Sequence, residues 1–252
     1  MQPVADLLPG WRNALGVSTK LWVGSGRHEV EPGRWVAFSG AKTVDYNAIL
    51  CHGPDGARDL ARSLEDVQAA KVPAVIMVAG PALGLTNVLA NASWVCVGAR
   101  PFMAMRDIRG DADADARPLL PPELPLAHAM LSAAFDVSLR FAEIAVPTVA
   151  ADAPTRAAWG LFDGGELVSC VAVVTVDNTI AIWSMATPPD RQRHGYGRRL
   201  LSAVLAAASD AGATTALLFS SPDGQRLYQS AGFEIVEYWQ AWSRARWVFP
   251  PV

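Results

Sequence analysis

The chain has 252 residues, a formal net charge of −3, and 51% hydrophobic against 18% charged residues. That balance supplies a packed core and excludes a disordered chain, and the length admits one large domain or two small ones. No Lys/Arg run exceeds two residues, which excludes the basic footprint of a nucleic-acid or anionic-membrane binder.

Met1 to Arg12 has neither a basic start nor a continuous apolar core, so no signal peptide is expected. No stretch approaches the ~20 apolar residues that span a bilayer. A cytoplasmic location follows as the expectation. Cys51, Cys96 and Cys170 are widely spaced in apolar surroundings and read as buried reduced thiols.

In chain order, Trp35 to Phe38 and Tyr46 to Leu50 predict strands. Ala57 to Ala70 predicts a helix with Leu60, Leu64 and Val67 on one face. Ala74 to Val78 follows as a strand, Leu83 to Ala92 as a weak helix, and Trp94 to Met105 as strand-like. Arg109 to Ala116 then alternates small residues with like charges, which repel one another and cannot bury surface, so it reads as an exposed linker. The expected division is residues 1–110, a linker at 111–116, and 117–252.

Beyond the linker, Leu124 to Phe135 carries apolar residues at helical spacing, and Ser138 to Val146 predicts a second helix ending before Pro147. Two strands, Ala157 to Phe162 and Glu166 to Val176, flank an Asp-Gly hairpin signal at Asp163-Gly164. Thr179 to Ala186 is a third strand. Gly197 to Ala211 is a helix with one stripe of Leu200, Leu201, Val204, Leu205 and Ala208, stopped by Gly212. Thr215 to Phe219 predicts a strand. Pro222 to Ala231 predicts a helix with Ser221 as N-cap, and Phe233 to Trp242 and Arg246 to Phe249 predict two last strands. An α-β-α-β run on both sides of the linker suggests an internal duplication.

The chemistry concentrates between Met185 and Gly197. A strand ends, Pro188-Pro189 stops its ladder, and Gly195 and Gly197 bend the chain into a helix. The first helical N–H groups lack intrahelical acceptors and carry the positive end of the helix dipole. Glycines there let an anion approach closely, which makes a pyrophosphate cradle. Arg193, Arg198 and Arg199 place positive charge beside it. A plain glycine turn competes with this reading. A dinucleotide fingerprint fits worse, because Leu200 stands at the third glycine and the strand-to-glycine turn is too long.

Gln192-x-x-Gly195-x-Gly197 resembles the Q/R-x-x-G-x-G/A signature of the GNAT N-acetyltransferase superfamily. Ser221 to Phe233, with Tyr228 and Gly232-Phe233, is similar to its second block, and Arg117-Pro118-Leu119 running into Glu123 to Phe135 resembles its first strand and helix. The resemblance implies a mixed α/β, GNAT-like fold: a largely antiparallel mixed sheet flanked by helices. It implies an acyltransferase that moves acetyl from acetyl-CoA directly to an amine. Met185, Ala186 and Thr187 are then expected to meet the pantetheine arm and thioester. Gln192, Arg193, His194, Gly195, Tyr196, Gly197 and Arg198 are expected to hold the pyrophosphate, and Tyr228 to protonate the leaving thiolate.

Two features depart from the pattern. Ser220, Ser221 and Asp223 fill the place of a frequent asparagine, and the third strand, Thr179 to Ser184, has no carboxylate to act as base. Asp136, Glu143 and Glu166 are candidates only by proximity in the expected fold and read better as solvated charges, so no base is assigned. Phe135, Phe141, Trp183, Trp239 and Trp242 are candidate walls of an acceptor pocket. In the first half, Cys51 to Arg58 aligns with the glycine signature, yet Pro54 lacks an N–H and Asp55 and Asp59 oppose an anion. That half resembles a degenerate GNAT-like domain that does not bind CoA. The expected partner is a small-molecule or peptide amine, with no metal, nucleic acid or membrane and with a homodimer left open. A CoA-binding sensor or scaffold with little turnover is the alternative.

Overall fold

The computed structural model describes residues 6–14, 26–42, 44, 47–146 and 156–248. Tyr46, Pro147 and Phe249, which bound three expected elements, lie outside these. The chain forms two compact units, residues 1–102 with 235–252 and residues 103–234. The division therefore falls elsewhere than at residues 111–116.

Residues 8–14 form helix α1. Strands β1 (Arg27–Glu31), β2 (Arg34–Phe38) and β3 (Asn47–Cys51) precede α2 (Gly56–Ala70) and β4 (Val75–Val78). A short α3 (Asn87–Asn91) and β5 (Val95–Arg106) follow, β5 running from the first unit into the second. The second unit continues with β6 (Ala116–Pro118), α4 (Leu124–Phe135), α5 (Leu139–Ala145), β7 (Arg156–Asp163), β8 (Glu166–Val176) and β9 (Thr179–Ala186). It closes with α6 (Tyr196–Asp210), β10 (Thr215–Phe219) and α7 (Gln225–Ser230). β11 (Glu234–Ser243) and α8 (Ala245–Val248) return the chain to the first unit.

In the first unit the order is β1-β2-β3-β4-β11, antiparallel except for the parallel β3/β4 pair joined by α2. Its α2 buries Leu60, Ser63 and Val67 against β2, β3 and β4. Arg34 is fully buried and pairs with Asp66 on α2, which also holds Arg27 at 2.5 Å. Removing one partner of a buried pair leaves a charge uncompensated. Asp66→Ala is expected to lower unfolding free energy by about 3–5 kcal/mol, read from the midpoint of urea unfolding.

In the second unit the order is β10-β9-β8-β7-β6, with β10/β9 parallel and the rest antiparallel. Gly164 and Gly165 both have positive φ (58° and 85°) between Asp163 and Glu166, the geometry of the two-residue hairpin turn that matches strand twist. Strand alternation puts Ala158, Cys170, Ala172 and Ala186 on one face, beneath Leu124, Ala127 and Leu131 of α4 and Ala142 of α5. The apolar stripe of α6 packs on β7 and β8, where the alternate positions Leu161, Val171 and Val173 need cover.

Several boundaries differ from expectation. The supposed linker lies on α6: a Cβ at Gly110 would fall 2.1 Å from the Ser202 carbonyl oxygen, and the Asp111 N–H donates to Ser202 Oγ at 2.8 Å. Its repelling charges are matched by Arg199, which bonds Asp113 at 2.7 and 3.0 Å and Asp115 at 2.9 Å. Residues 245–248, expected in a strand, form the helical turn α8. The helix expected from Pro222 starts at Gln225, with residues 222–224 in a turn closed by Gly224 N–H donating to Ser221 Oγ. β1 is a strand that the sequence does not predict, because Arg27-His28-Glu29-Val30-Glu31 has little apolar character. Cys51 and Cys170 are buried thiols, burial pushing both up to about 12, whereas Cys96 is exposed.

Candidate active site

The site begins with a defect in the sheet. Along β8/β9, Ala172 pairs with Trp183 and Cys170 with Ala186, so β9 carries one residue more than β8 over that span. The extra residue is a β-bulge, and Ser184 takes a left-handed φ of 52° to make it. Parallel pairing of β9 with β10 ends at Ile182 and Leu218. Beyond that point the β10-facing backbone groups of Trp183 to Ala186 have no ladder partner from β10, and the two strands part. Backbone groups left out of a ladder offer donors and acceptors to a ligand.

The chain then turns at Thr187 to Gln192 into α6. Ser169 Oγ donates to the Ala186 carbonyl at 2.9 Å and lies 2.9 Å from Thr187 Oγ1, fixing the strand end. The Gln192 side-chain amide donates to the Thr187 carbonyl at 3.2 Å, closing the loop on itself. His194 Nδ1 lies 2.8 Å from the Gln192 carbonyl oxygen, and its ring stacks on Tyr196. Tyr196 OH donates to Asp163 at 2.5 Å, and Arg191 pairs with Glu166 at 2.8 Å. Both acceptors flank the β7–β8 hairpin turn, so that turn clips the loop from outside. The Asp163 carboxylate raises the Tyr196 phenol above its ordinary value, keeping the donor protonated.

Within this frame Gly195 has a φ of 84°, which strains any residue with a Cβ, and it caps α6. The Arg199 N–H is bonded to the Gly195 carbonyl at 3.0 Å; the N–H groups of Tyr196, Gly197 and Arg198 belong to the first turn and have no intrahelical acceptor. Gly197 has an ordinary φ. A Cβ there would meet Met185 Cε, Leu227 Cδ2 and Thr187 Oγ1 at 3.5–3.6 Å, which is normal contact. A Cβ at 197 is therefore tolerated, and the open space lies at Gly195, where a Cβ would meet nothing within 4 Å. Residues that would hold a pyrophosphate thus present free donors, open space and two cations. Arg193 pairs with no carboxylate among the described residues, and Arg198 reaches Ser230 O at 3.4 Å. Arg199, expected beside the phosphates, is instead turned to Asp113 and Asp115.

Tyr228 comes from α7 into the same space. Its OH donates to Met185 Sδ at 3.7 Å, and its ring packs edge-on against Phe233 at 5.8 Å. Burial pushes the phenol up to about 12, so it stays protonated through neutral pH. The structure thus brings Met185, Ala186, Thr187, Gly197 and Tyr228 to one cleft where β9 leaves β10. Ser220 Oγ donates to the Ser221 carbonyl at 2.7 Å and is spent internally, so it does not replace the missing asparagine.

The base candidates are placed elsewhere. Glu166 is the partner of Arg191, Asp136 caps the C-terminus of α4 with a φ of 51°, and Glu143 faces Arg140 on the exposed side of α5. Of the expected pocket walls, Trp183 packs on the α4/α5 core and Phe135 is half exposed. Trp239 is fully buried in the first unit, stacked on Phe102 at 4.4 Å and edge-on to Trp11, so it offers no face to an acceptor. Trp242 packs into the β2–β4 core of that unit. The bulge at Ser184 and the hairpin clips had no signal in sequence, because a left-handed serine and a loop-to-turn hydrogen bond follow no local pattern.

In the first unit, the segment aligned with the cradle is closed. The N–H groups of His52 and Gly53 both bond the Gly33 carbonyl, at 2.9 and 3.0 Å, and Pro54 has none. The Asp59 carboxylate stands 2.9 Å from where a Cβ at Gly53 would be.

A family model described as an acetyltransferase (GNAT) domain matches residues 154–235. A GCN5-related N-acetyltransferase from Kribbella flavida is similar in structure at 19% identity and a TM-score of 0.68, over 92% of this chain and 95% of its own. One from Sphaerobacter thermophilus has 14% identity and a TM-score of 0.59, over 84% and 76%. A GCN5-related N-acetyltransferase-like protein from Streptococcus suis has 14% identity and a TM-score of 0.53, over 84% of both chains. At these identities the neighbours establish a shared fold. No curated protein sequence matches the chain. No helix among the described residues is long and apolar enough to cross a membrane. The mixed sheet with flanking helices and the matched segment agree: residues 154–235 carry the acetyltransferase (GNAT) domain, within a GNAT-like fold.

Proposed function

We propose that the second unit binds acetyl-CoA at the α6 cradle and transfers the acetyl group directly to an amine. The observation that carries this reading is the meeting of a protonated phenol, Tyr228, with the parted end of β9, below a helix N-terminus opened by Gly195 and Gly197. Acetyl-CoA would supply an acetyl group activated as a thioester. The N–H groups from Arg193 to Arg198, with the Arg193 and Arg198 guanidiniums, would hold its pyrophosphate. Backbone groups of Met185, Ala186 and Thr187 would align the pantetheine and thioester carbonyl. In the transfer a nitrogen–carbon bond forms and the carbon–sulfur bond breaks. Tyr228 donates its proton toward the departing sulfur and recovers one from the amine nitrogen, so the net products are an amide and a free thiol.

The absence of a carboxylate on β9 favours a second reading, a CoA-binding sensor without turnover. Release of free thiol from acetyl-CoA with a panel of amines decides between them. Steady release with any amine supports transfer, and tight acetyl-CoA binding with no release supports the sensor.

We further propose that the first unit is a degenerate GNAT-like unit that binds no CoA, because its donors at His52 and Gly53 are already used. Titration calorimetry is expected to give one CoA per chain. A stoichiometry of two would overturn this.

A further inference from the structure

Arg156 opens β7 with its side chain more than nine-tenths buried, and its Nη1 has no hydrogen-bond partner. Among the described residues no ion pair reaches it. Burial alone acts on its guanidinium, lowering its pKa with no opposing carboxylate. A buried cation without a partner is strongly unfavourable, and the protonated guanidinium is very hard to neutralise. Arg12 Nε and Arg34 Nη2 are also buried without a hydrogen-bond partner, but Arg34 is held by carboxylates and Arg156 by none. Arg34 has Asp66 and Glu31, and half-buried Glu237 accepts the Gly80 N–H at 2.7 Å.

Its position points to what completes it. Arg156 pairs with Val174, which pairs with Ala181, and the next row of the same face is Ala158, Ala172 and Trp183. Arg156 therefore lies on the α4/α5 face, two strands from β9 and one row from Trp183, the last residue before the Ser184 bulge. Two strand spacings are roughly 10 Å, a gap that an arginine side chain and a short ligand bridge together. Of the other buried titratable side chains on this face, His128 is engaged through Nε2 with the Val146 carbonyl at 2.6 Å, and Cys170 is a thiol that burial keeps neutral. The face thus holds one unmatched positive charge level with Ala181, on the row before Trp183 and the bulge that opens the cleft.

We propose that Arg156 is the anion-recognising residue of the acceptor site, so that the amine acetylated here carries a carboxylate at a distance from its nitrogen. This rests on the transfer reading above. A carboxylate matches a guanidinium in charge and in its two parallel hydrogen bonds. A phosphate dianion would bury one negative charge more than the site supplies.

The test compares ω-amino carboxylates of graded length with alkylamines of the same length and with an aminoalkyl phosphonate, in wild type and Arg156→Gln. Wild-type kcat/KM is expected to favour one carboxylate over its alkylamine by about 10–100-fold, the range of one hydrogen-bonded charge pair, and the variant to lose that preference. Equal use of both by the wild type, a preference for the phosphonate, or a preference that survives Arg156→Gln would overturn the proposal.

A second readout needs no turnover. N-acetyl-6-aminohexanoate, which has no amine to react, is expected to raise the melting temperature of the wild type and not of the variant. Ligand-free Arg156→Leu is expected to melt a few degrees above wild type, because it removes an unmatched buried charge. A lower melting temperature would mark Arg156 as structural and overturn the assignment. A carboxylate-dependent shift without acetylation of any amine would leave the anion site standing and sink the transfer reading. Acetylation with no carboxylate dependence in either readout would do the reverse.

Discussion

Tyr228→Phe is expected to slow the acetyl-transfer step about 10²–10⁴-fold, the range for one positioned general acid, while leaving the melting temperature and acetyl-CoA affinity near wild type. The ring keeps its edge contact with Phe233, and what is lost is the hydroxyl that faces Met185 Sδ. The phenol is weakly paired in the free protein, so its removal leaves no buried partner unsatisfied. Single-turnover measurement with saturating amine is the relevant assay, because product release can mask a slower chemical step. A change below about threefold would remove Tyr228 from the mechanism. The pH profile gives a second check. With the phenol pushed up to about 12, wild-type activity should show no falling limb from Tyr228 between neutral pH and about pH 11. The same shift makes stability fall once pH exceeds about 10, where an unfolded tyrosine ionises and the folded one does not.

Gly195→Glu is expected to abolish acetyl-CoA binding. The residue sits at φ 84° with nothing within 4 Å of where a Cβ would stand, so bulk and a negative charge would project beside the free N–H groups that define the cradle. Backbone strain adds about 1–2 kcal/mol of destabilisation in either an alanine or a glutamate variant. Gly195→Ala therefore serves as the control: it carries the strain without the charge. Calorimetry is expected to show measurable acetyl-CoA binding to Gly195→Ala and none to folded Gly195→Glu. Wild-type affinity in the glutamate variant would remove the cradle from the site.

Most of the second unit was legible because its elements are locally consistent. Leu124 to Phe135, Glu166 to Val176, Thr179 to Ala186 and Thr215 to Phe219 fall within the expected bounds, each set by periodicity and by a proline, glycine or turn pair at its end. What sequence could not give was set by distant partners. The alternation of Asp111, Asp113 and Asp115 looks like solvated repulsion until Arg199 and Ser202 of α6 are brought beside it. Gln192 and His194 belong to the signature, yet their side chains brace the loop rather than extend from it. Trp239 reads as available for a pocket and is used up by Phe102 and Trp11 of its own unit, more than a hundred residues away in sequence. Arg156, buried with an unpartnered Nη1 and no carboxylate, had no motif around it at all.

The first unit takes its fifth strand from the far end of the chain: β11 pairs with β4 through Gln240 and Val78, Ala241 and Met77, and Trp242 and Ile76. Synthesis on the ribosome reaches residue 240 about 160 residues after residue 78, a delay of roughly 8–30 s at ordinary elongation rates. During that interval the edge of β4 has no partner from β11, while residues 103–234 emerge with all of β6 to β10 in one run. Residues 103–234 are therefore all synthesised before the strand that completes the sheet of the first unit.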